Sequence, residues 1–113
     1  MPSSRTILFT KEFKKNIKSL ARQYRKIKSD LLPVITLLES GDLLGDQIKG
    51  VPYKVYKARI PNTSASKGKQ GGFRLIYYLE LSDHIVLLSI YSKSVLVNIS
   101  IADIINIINN FKR

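Results

Sequence analysis

Apolar residues recur along this chain with two different periods, and the changes of period mark its elements. Arg5–Phe9 carries a short apolar run that predicts an edge strand. From Thr10 the spacing lengthens: Phe13, Ile17, Leu20, Tyr24 and Ile27 recur at the intervals of a helix face. Thr10 is a suitable N-cap, and Glu12 falls in the first turn, where the helix dipole favours a carboxylate. Ser29-Asp30 predicts a break and a fresh cap. Leu31, Leu32, Ile35, Leu37 and Leu38 then predict a second helix, with Pro33 in or just beyond its first turn and Gly41 closing it.

Gly41–Pro52 reads as a loop, after which the period drops to two. Val51–Ile60 predicts a strand with Tyr53, Val55, Lys57 and Arg59 on one face and Lys54, Tyr56, Ala58 and Ile60 on the other. With Tyr56, Ala58 and Ile60 in the core, Lys57 and Arg59 face out together. Pro61–Gly72 is a long polar loop, of a length that is usually functional or disordered. Phe73–Glu80 predicts the next strand, with Phe73, Leu75, Tyr77 and Leu79 opposed to Arg74, Ile76 and Tyr78. Ser82-Asp83 is a tight turn, and His84–Lys93 is an apolar strand with Ile85, Leu87, Ser89, Tyr91 and Lys93 on one face. Ser100-x-x-Asp103 resembles a capping box and opens a short apolar C-terminal helix through Ile101, Ile104, Ile105, Ile108 and Phe111.

The predicted order is β, α, α, β, β, β, α. Grouped helices and grouped strands point to an α+β fold, two N-terminal helices packed on a largely antiparallel sheet plus the C-terminal helix. A length of 113 residues is that of one domain, 1–113.

Charge changes the picture. The formal net charge is +11, which favours nucleic acid, an acidic protein or an anionic membrane as partner. No acidic residue occurs from Gln47 to Leu79, a span that holds Lys49, Lys54, Lys57, Arg59, Lys67, Lys69 and Arg74. Such a run is either a footprint for a polyanion or a solvated basic edge that keeps a strand from aggregating. The first helix also carries a basic face, from Lys11 to Lys28, which can touch RNA or an acidic partner. A solvated face is the commoner explanation of such a pattern. There is no cysteine, so disulfides and thiol chemistry are excluded. No apolar run approaches the ~20 residues of a membrane span, and the N-terminus lacks a signal core. These features read as cytoplasmic, with no membrane partner.

The usual hydrolytic sets are missing. The one histidine, His84, lies at a turn, and no His or carboxylate cluster has metal-ligand spacing. KGKQGG lacks the spacing of a phosphate-binding P-loop. What remains is Lys57, Arg59, Arg74, Tyr91 and Lys93, all able to lie on one sheet face. Cations so placed stabilise the extra charge of a phosphorane, and RNA brings its own nucleophile, the 2′-OH. Such a set either cleaves RNA without metal or cofactor or merely holds a phosphate backbone.

YKARI, KGKQGGFRLIYY and IYSKS at Ile90–Ser94 resemble the RelE/HigB group of the RelE–ParE toxin superfamily, and the resemblance runs over nearly the whole chain. It implies a small RelE-like fold and the toxin half of a toxin–antitoxin pair. It also implies an endoribonuclease that cuts mRNA in the ribosomal A site, with a cognate, HigA-like helix-turn-helix antitoxin. By the resemblance, Lys57 matches the lysine proposed as base, Arg59 the second cation of that motif, and Arg74 the arginine that holds the scissile phosphate. Lys93 matches the cation after the last strand, suited to charge stabilisation or leaving-group protonation. Tyr91 is placed for base stacking, and Lys54, Lys67 and Lys69 for RNA contact. Two departures stand out: no tyrosine follows Tyr91, and Ser94-Val95-Leu96-Val97 replaces the polar and acidic residues usual there. The rival readings are a ParE-like gyrase poison and a non-catalytic RNA-binding module.

Overall fold

The computed structural model describes residues 4–64, 72–96 and 98–112. These residues form β1 (Thr6–Phe9), α1 (Lys11–Gln23), α2 (Ile27–Glu39), β2 (Asp46–Gln47), β3 (Val55–Ile60), β4 (Phe73–Glu80), β5 (His84–Ser92) and α3 (Ile101–Lys112). The strands make one sheet in the order β1-β5-β4-β3-β2. β1 lies parallel to β5 at one edge, and the other pairings are antiparallel. The fold is therefore α+β with a largely antiparallel sheet, as the residue pattern predicts.

The pleat sorts the side chains into two cores. Phe13 of α1 and Ile27, Leu31 and Leu38 of α2 pack with Ala58, Ile60, Phe73, Leu75 and Tyr77 on one face. Ile104 and Ile108 of α3 pack with Val55, Ile76, Tyr78, Val86 and Leu88 on the other. β4 is thus sandwiched, and each side chain from Phe73 to Tyr78 is buried. The alternation predicted for β3 and β4 holds: Lys57 and Arg59 share the α3 side of the sheet with Arg74.

Both predicted caps form. Thr10 Oγ1 accepts from the Phe13 N–H at 2.9 Å, and Ser100 Oγ accepts from the Asp103 N–H at 3.1 Å. The break between the first two helices, however, comes earlier than Ser29-Asp30. α1 ends at Gln23, and Tyr24 turns away with its ring edge-on to Phe73 at 5.2 Å. Ile27, fully buried, then belongs to α2. Asp30 caps no helix: it is buried and accepts from the Thr63 N–H at 3.0 Å and the Thr63 hydroxyl at 2.6 Å. A residue with capping chemistry is used to anchor the chain after β3. Because α2 starts early, Pro33 lies inside it rather than in its first turn.

Two further expectations change. The predicted strand from Val51 begins only at Val55, and the predicted Gly41–Pro52 loop contains the short strand β2. Glycines in the left-handed region at 45 (φ 84°) and 50 (φ 86°) turn the chain back so that residues 46–48 pair with β3. The single face expected for Ile85 through Lys93 is also broken. Ile76 pairs with Ser89 but Tyr77 with Leu87, so β5 carries one extra residue, a bulge at Leu88. Ile85 and Leu87 face α1 and α2, whereas Tyr91 faces α3.

The bulge is written in α1. Thr10 Oγ1 lies 3.2 Å from the Leu87 carbonyl and 2.9 Å from that of Leu88. Asn16 Oδ1 accepts from the Ser89 hydroxyl at 2.9 Å and the Ile90 N–H at 3.1 Å. Backbone groups that a bulge takes out of the ladder thus find side-chain partners.

Candidate functional site

The α3 face of the sheet is covered at one end and open at the other. The open end is where β3 carries its cations. Cross-strand register sets them against their neighbours: Lys57 opposite Ile76, Arg59 opposite Arg74, and Arg74 opposite Tyr91. Arg59, Arg74 and Tyr91 therefore form one row across three strands. Lys93 joins it from the turn after β5, where its backbone N–H bonds the Gly72 carbonyl at 3.0 Å.

Arg59, Arg74 and Lys93 line a cavity of about 290 Å³ together with Asp46, Lys57 and Asn98. Four of the cations singled out in the sequence are thereby brought together: Lys57, Arg59, Arg74 and Lys93. Arg74 is buried, with a guanidinium N–H 3.3 Å from the Phe73 carbonyl, while Arg59 opposite it is exposed. Lys57 Nζ donates to Asn98 Oδ1 at 3.1 Å, which fixes the ammonium over the cavity. Four cations against one carboxylate can attract an anion, and a planar guanidinium fork can engage two oxygens of a phosphate at once.

Tyr91 does not reach the cavity wall. Its ring packs in the α3-side core, and its hydroxyl is buried with no hydrogen-bond partner of good geometry among the described residues. Burial raises the pKa of the phenol, opposed by the nearby Arg74 guanidinium and, more weakly, by the Ile99 backbone. Lys54 lies elsewhere, at a depression lined with Tyr53, Tyr78, Leu79, Leu81 and Ser82. Lys67 and Lys69 fall outside the described residues. His84 is partly exposed and bonded to Asp83 at 2.7 Å, a surface arrangement. Val95 and Leu96, in the apolar stretch after Lys93, are exposed at 83% and 42% and so are not core.

Asp46 and Asn98 are the lining residues that sequence reasoning missed. Asp46 sits one position before the acid-free run begins, in a segment that reads as loop. Its approach to Lys57 depends on contacts far away in sequence. Tyr77 is fully buried, and its hydroxyl donates to the Leu44 carbonyl at 2.5 Å and accepts from the Leu44 N–H at 2.7 Å. Gly45 then passes so close to β3 that a Cβ there would stand 2.1 Å from the Lys57 carbonyl oxygen. Asp46, next in line, pairs with Lys57.

The site and the sheet define an α+β protein whose open sheet face ends in a cationic cavity. No protein-family model matches the chain, and neither does any curated protein sequence. Among solved structures it is similar to the E. coli toxin RelE, an arginine-to-alanine double mutant in the free state. The TM-score is 0.53 at 17% identity, over 83% of this chain and 88% of that one. The likeness establishes a RelE-like fold.

Proposed function

We propose that the protein is the toxin of a toxin–antitoxin pair and acts as a ribosome-dependent mRNA endoribonuclease. The observation that carries the reading is the convergence of Lys57, Arg59, Arg74 and Lys93 on one cavity of a RelE-like fold. The RNA 2′-OH attacks the neighbouring phosphorus, the O2′–P bond forms and the P–O5′ bond breaks. Arg74 and Arg59 bind the phosphate oxygens and meet the charge that grows in the phosphorane. Lys57, held by Asn98, is the proposed base that takes the 2′-hydroxyl proton, and Lys93 gives a proton to the departing O5′. The products are a 2′,3′-cyclic phosphate and a 5′-hydroxyl end. Tyr91 supports Arg74 from the adjacent strand, and Lys54, Lys67 and Lys69 extend the contact to RNA outside the cavity. This chemistry asks for no metal and no cofactor. A HigA-like, helix-turn-helix antitoxin would neutralise the protein, and both would work in the cytoplasm.

The test is induced expression followed by mapping of mRNA 5′ ends, with Arg74→Ala alongside. Wild type should cut within translated codons and leave untranslated RNA intact. Arg74→Ala should lose roughly 100-fold or more of the cleavage, the usual cost of deleting one donor to a developing oxyanion. Circular dichroism should show the variant folded. A fully active variant would sink the site assignment. Growth arrest with DNA breaks and no RNA cuts would point to gyrase poisoning, and RNA affinity without cuts to a binding module.

A further inference from the structure

The sheet that carries the cationic cavity has a second depression at the other end of β3 and β4, and the cleavage chemistry does not use it. We infer that this depression is a stacking site for an unpaired base of single-stranded RNA, with Lys54 on the adjoining phosphate. The inference rests on the RNA reading of the cavity and adds a subsite roughly 20 Å away, the span of the six residues of extended chain from Tyr53 to Arg59.

The lining has the chemistry for a base. The depression, of about 320 Å³, is walled by Tyr53, Lys54, Tyr78, Leu79, Leu81 and Ser82. That volume stands at the small end of ligand sites, with room for one nucleotide-sized group. Tyr53 and Tyr78 meet edge to face, centroids 5.4 Å apart and planes at 71°, so buried Tyr78 fixes the plane of half-buried Tyr53. Lys112, at the end of α3, sets its ammonium 5.2 Å from the Tyr53 centroid and 6.0 Å from that of Tyr78, outside the lining of the depression. Lys54 is exposed at the rim. Asp83, in the neighbouring turn, bonds His84, and neither it nor Glu80 lines the depression. Fixed rings among cations form the sites that hold single strands: the rings stack bases and the cations take phosphates. An acidic peptide would use the cations but has no need of the rings.

The turn between β4 and β5 supplies an independent sign. Leu81 and Ser82 stand at φ 57° and 73°, the left-handed region that glycine and asparagine occupy most readily. Leu81 is 81% exposed, so packing within the chain does not account for a leucine there. Arg5 pins the turn: its Nε donates to the Ser82 carbonyl at 3.0 Å and its Nη1 to the Gly41 carbonyl at 2.7 Å. An apolar side chain held in open solvent at a conformational cost, beside a fixed tyrosine, is placed to cover the second face of a stacked ring.

The sheet edge also joins the two sites by charge. The Ile48 N–H bonds the Val55 carbonyl at 2.8 Å, so exposed Lys49 follows at that edge, beside the stretch of chain that separates Tyr53 from Lys57. A strand whose phosphate sits in the cavity meets cations along this edge before its next bases reach Tyr53.

The experiment is fluorescence anisotropy of the full chain with 2′-O-methyl RNA of about 10 nucleotides, within the range that single-strand sites engage, and with an abasic strand of equal length. The 2′-O-methyl group blocks 2′-OH attack, so binding is read without cleavage. Wild type should bind the base-bearing strand more tightly than the abasic one. Tyr53→Leu should weaken the base-bearing strand by about 5- to 150-fold, the usual worth of one base on an aromatic ring, and leave the abasic strand unchanged. Tyr53→Phe should keep wild-type affinity. Lys54→Ala, at an exposed position, should weaken both strands and flatten the salt dependence by roughly 0.7 in log–log slope. Leu81→Gly should weaken the base-bearing strand without lowering the Tm. Equal affinity for the two strands would overturn the inference, as would a folded Tyr53→Leu variant of unchanged affinity. Polyglutamate bound as tightly as RNA, and weakened equally by Tyr53→Leu, would overturn it in favour of an acidic protein. A chain that shows the base effects but never cuts mRNA would overturn the nuclease reading and leave the stacking site standing.

Discussion

Replacing Tyr77 with Phe removes one oxygen and nothing else. The ring keeps its place in the core, stacked on Tyr56 at 5.3 Å with the planes 12° apart. What is lost is the clasp on Leu44, two hydrogen bonds at 2.7 and 2.5 Å. Each such bond is worth roughly 0.5–1.5 kcal/mol, and more when its partner is left buried and unpaired, so Tyr77→Phe should cost about 2–3 kcal/mol. For a chain of this size that is a fall in Tm of about 10 °C. Urea unfolding should show a lower midpoint at unchanged slope.

A second signature comes from alkali. Burial pushes the Tyr77 pKa up to about 12 from its ordinary value of 10.0, with the Leu44 backbone opposing the shift. The folded state therefore holds this proton more tightly than the unfolded chain. Its contribution to stability is whole below pH 10 and is lost as pH rises towards 12. Two pKa units correspond to about 3 kcal/mol. The quantity to measure is the stability gap between wild type and Tyr77→Phe as a function of pH. The gap should close between pH 10 and 12. A variant as stable as wild type at pH 7, or a gap that stays constant into alkali, would refute the account.

Two other substitutions test the scaffold. Thr10→Ala removes the α1 cap and the hydroxyl at the β5 bulge, and should cost about 1–2 kcal/mol in urea unfolding. Faster amide exchange at Leu88–Ile90 should accompany it. Gly45→Ala forces a Cβ towards the Lys57 carbonyl at a positive φ and should cost roughly 2 kcal/mol or more. A soluble Gly45→Ala protein with wild-type stability would show that β2 does not lie against β3 as described.

Legibility in the sequence followed the range of the interactions involved. The caps at Thr10 and Ser100, the turn between β4 and β5 and the two faces of β4 are local facts, and the residues announce them. α1 ends earlier than the residue pattern predicts because Tyr24 leaves the helix for Phe73, a partner far away in the chain. Asp30 departs from the capping role its residue type predicts for the same reason, since its partner Thr63 follows β3. The β5 bulge could not be seen at all in β5. Its cause lies in Thr10 and Asn16, and strict alternation would have put Tyr91 on the wrong face. Of the cavity, the cations were legible because alternation and charge agree there. Asp46 was not, because a buried tyrosine and a glycine contact place it.

The same contrast separates what folds this chain from what the cavity needs. Arg59 and Arg74 stand directly opposite each other in an antiparallel pair, where like charges are unfavourable. One of them is a buried guanidinium, and its row ends on a buried tyrosine hydroxyl. Apolar or hydroxyl side chains at these positions would serve the sheet better, as they do from Leu75 to Leu79 in β4. Local preference and global fold agree in the capped helices α1 and α3 and in the doubly buried central strands. A conflict gathered at one end of one sheet face, and shared by residues from separate strands, is the physical mark of a site. The cost of the conflict is carried by the apolar packing of β4 on both faces. The cavity can therefore be strongly cationic while the sheet beneath it stays rigid, as the proposed positioning of a phosphate for in-line attack requires.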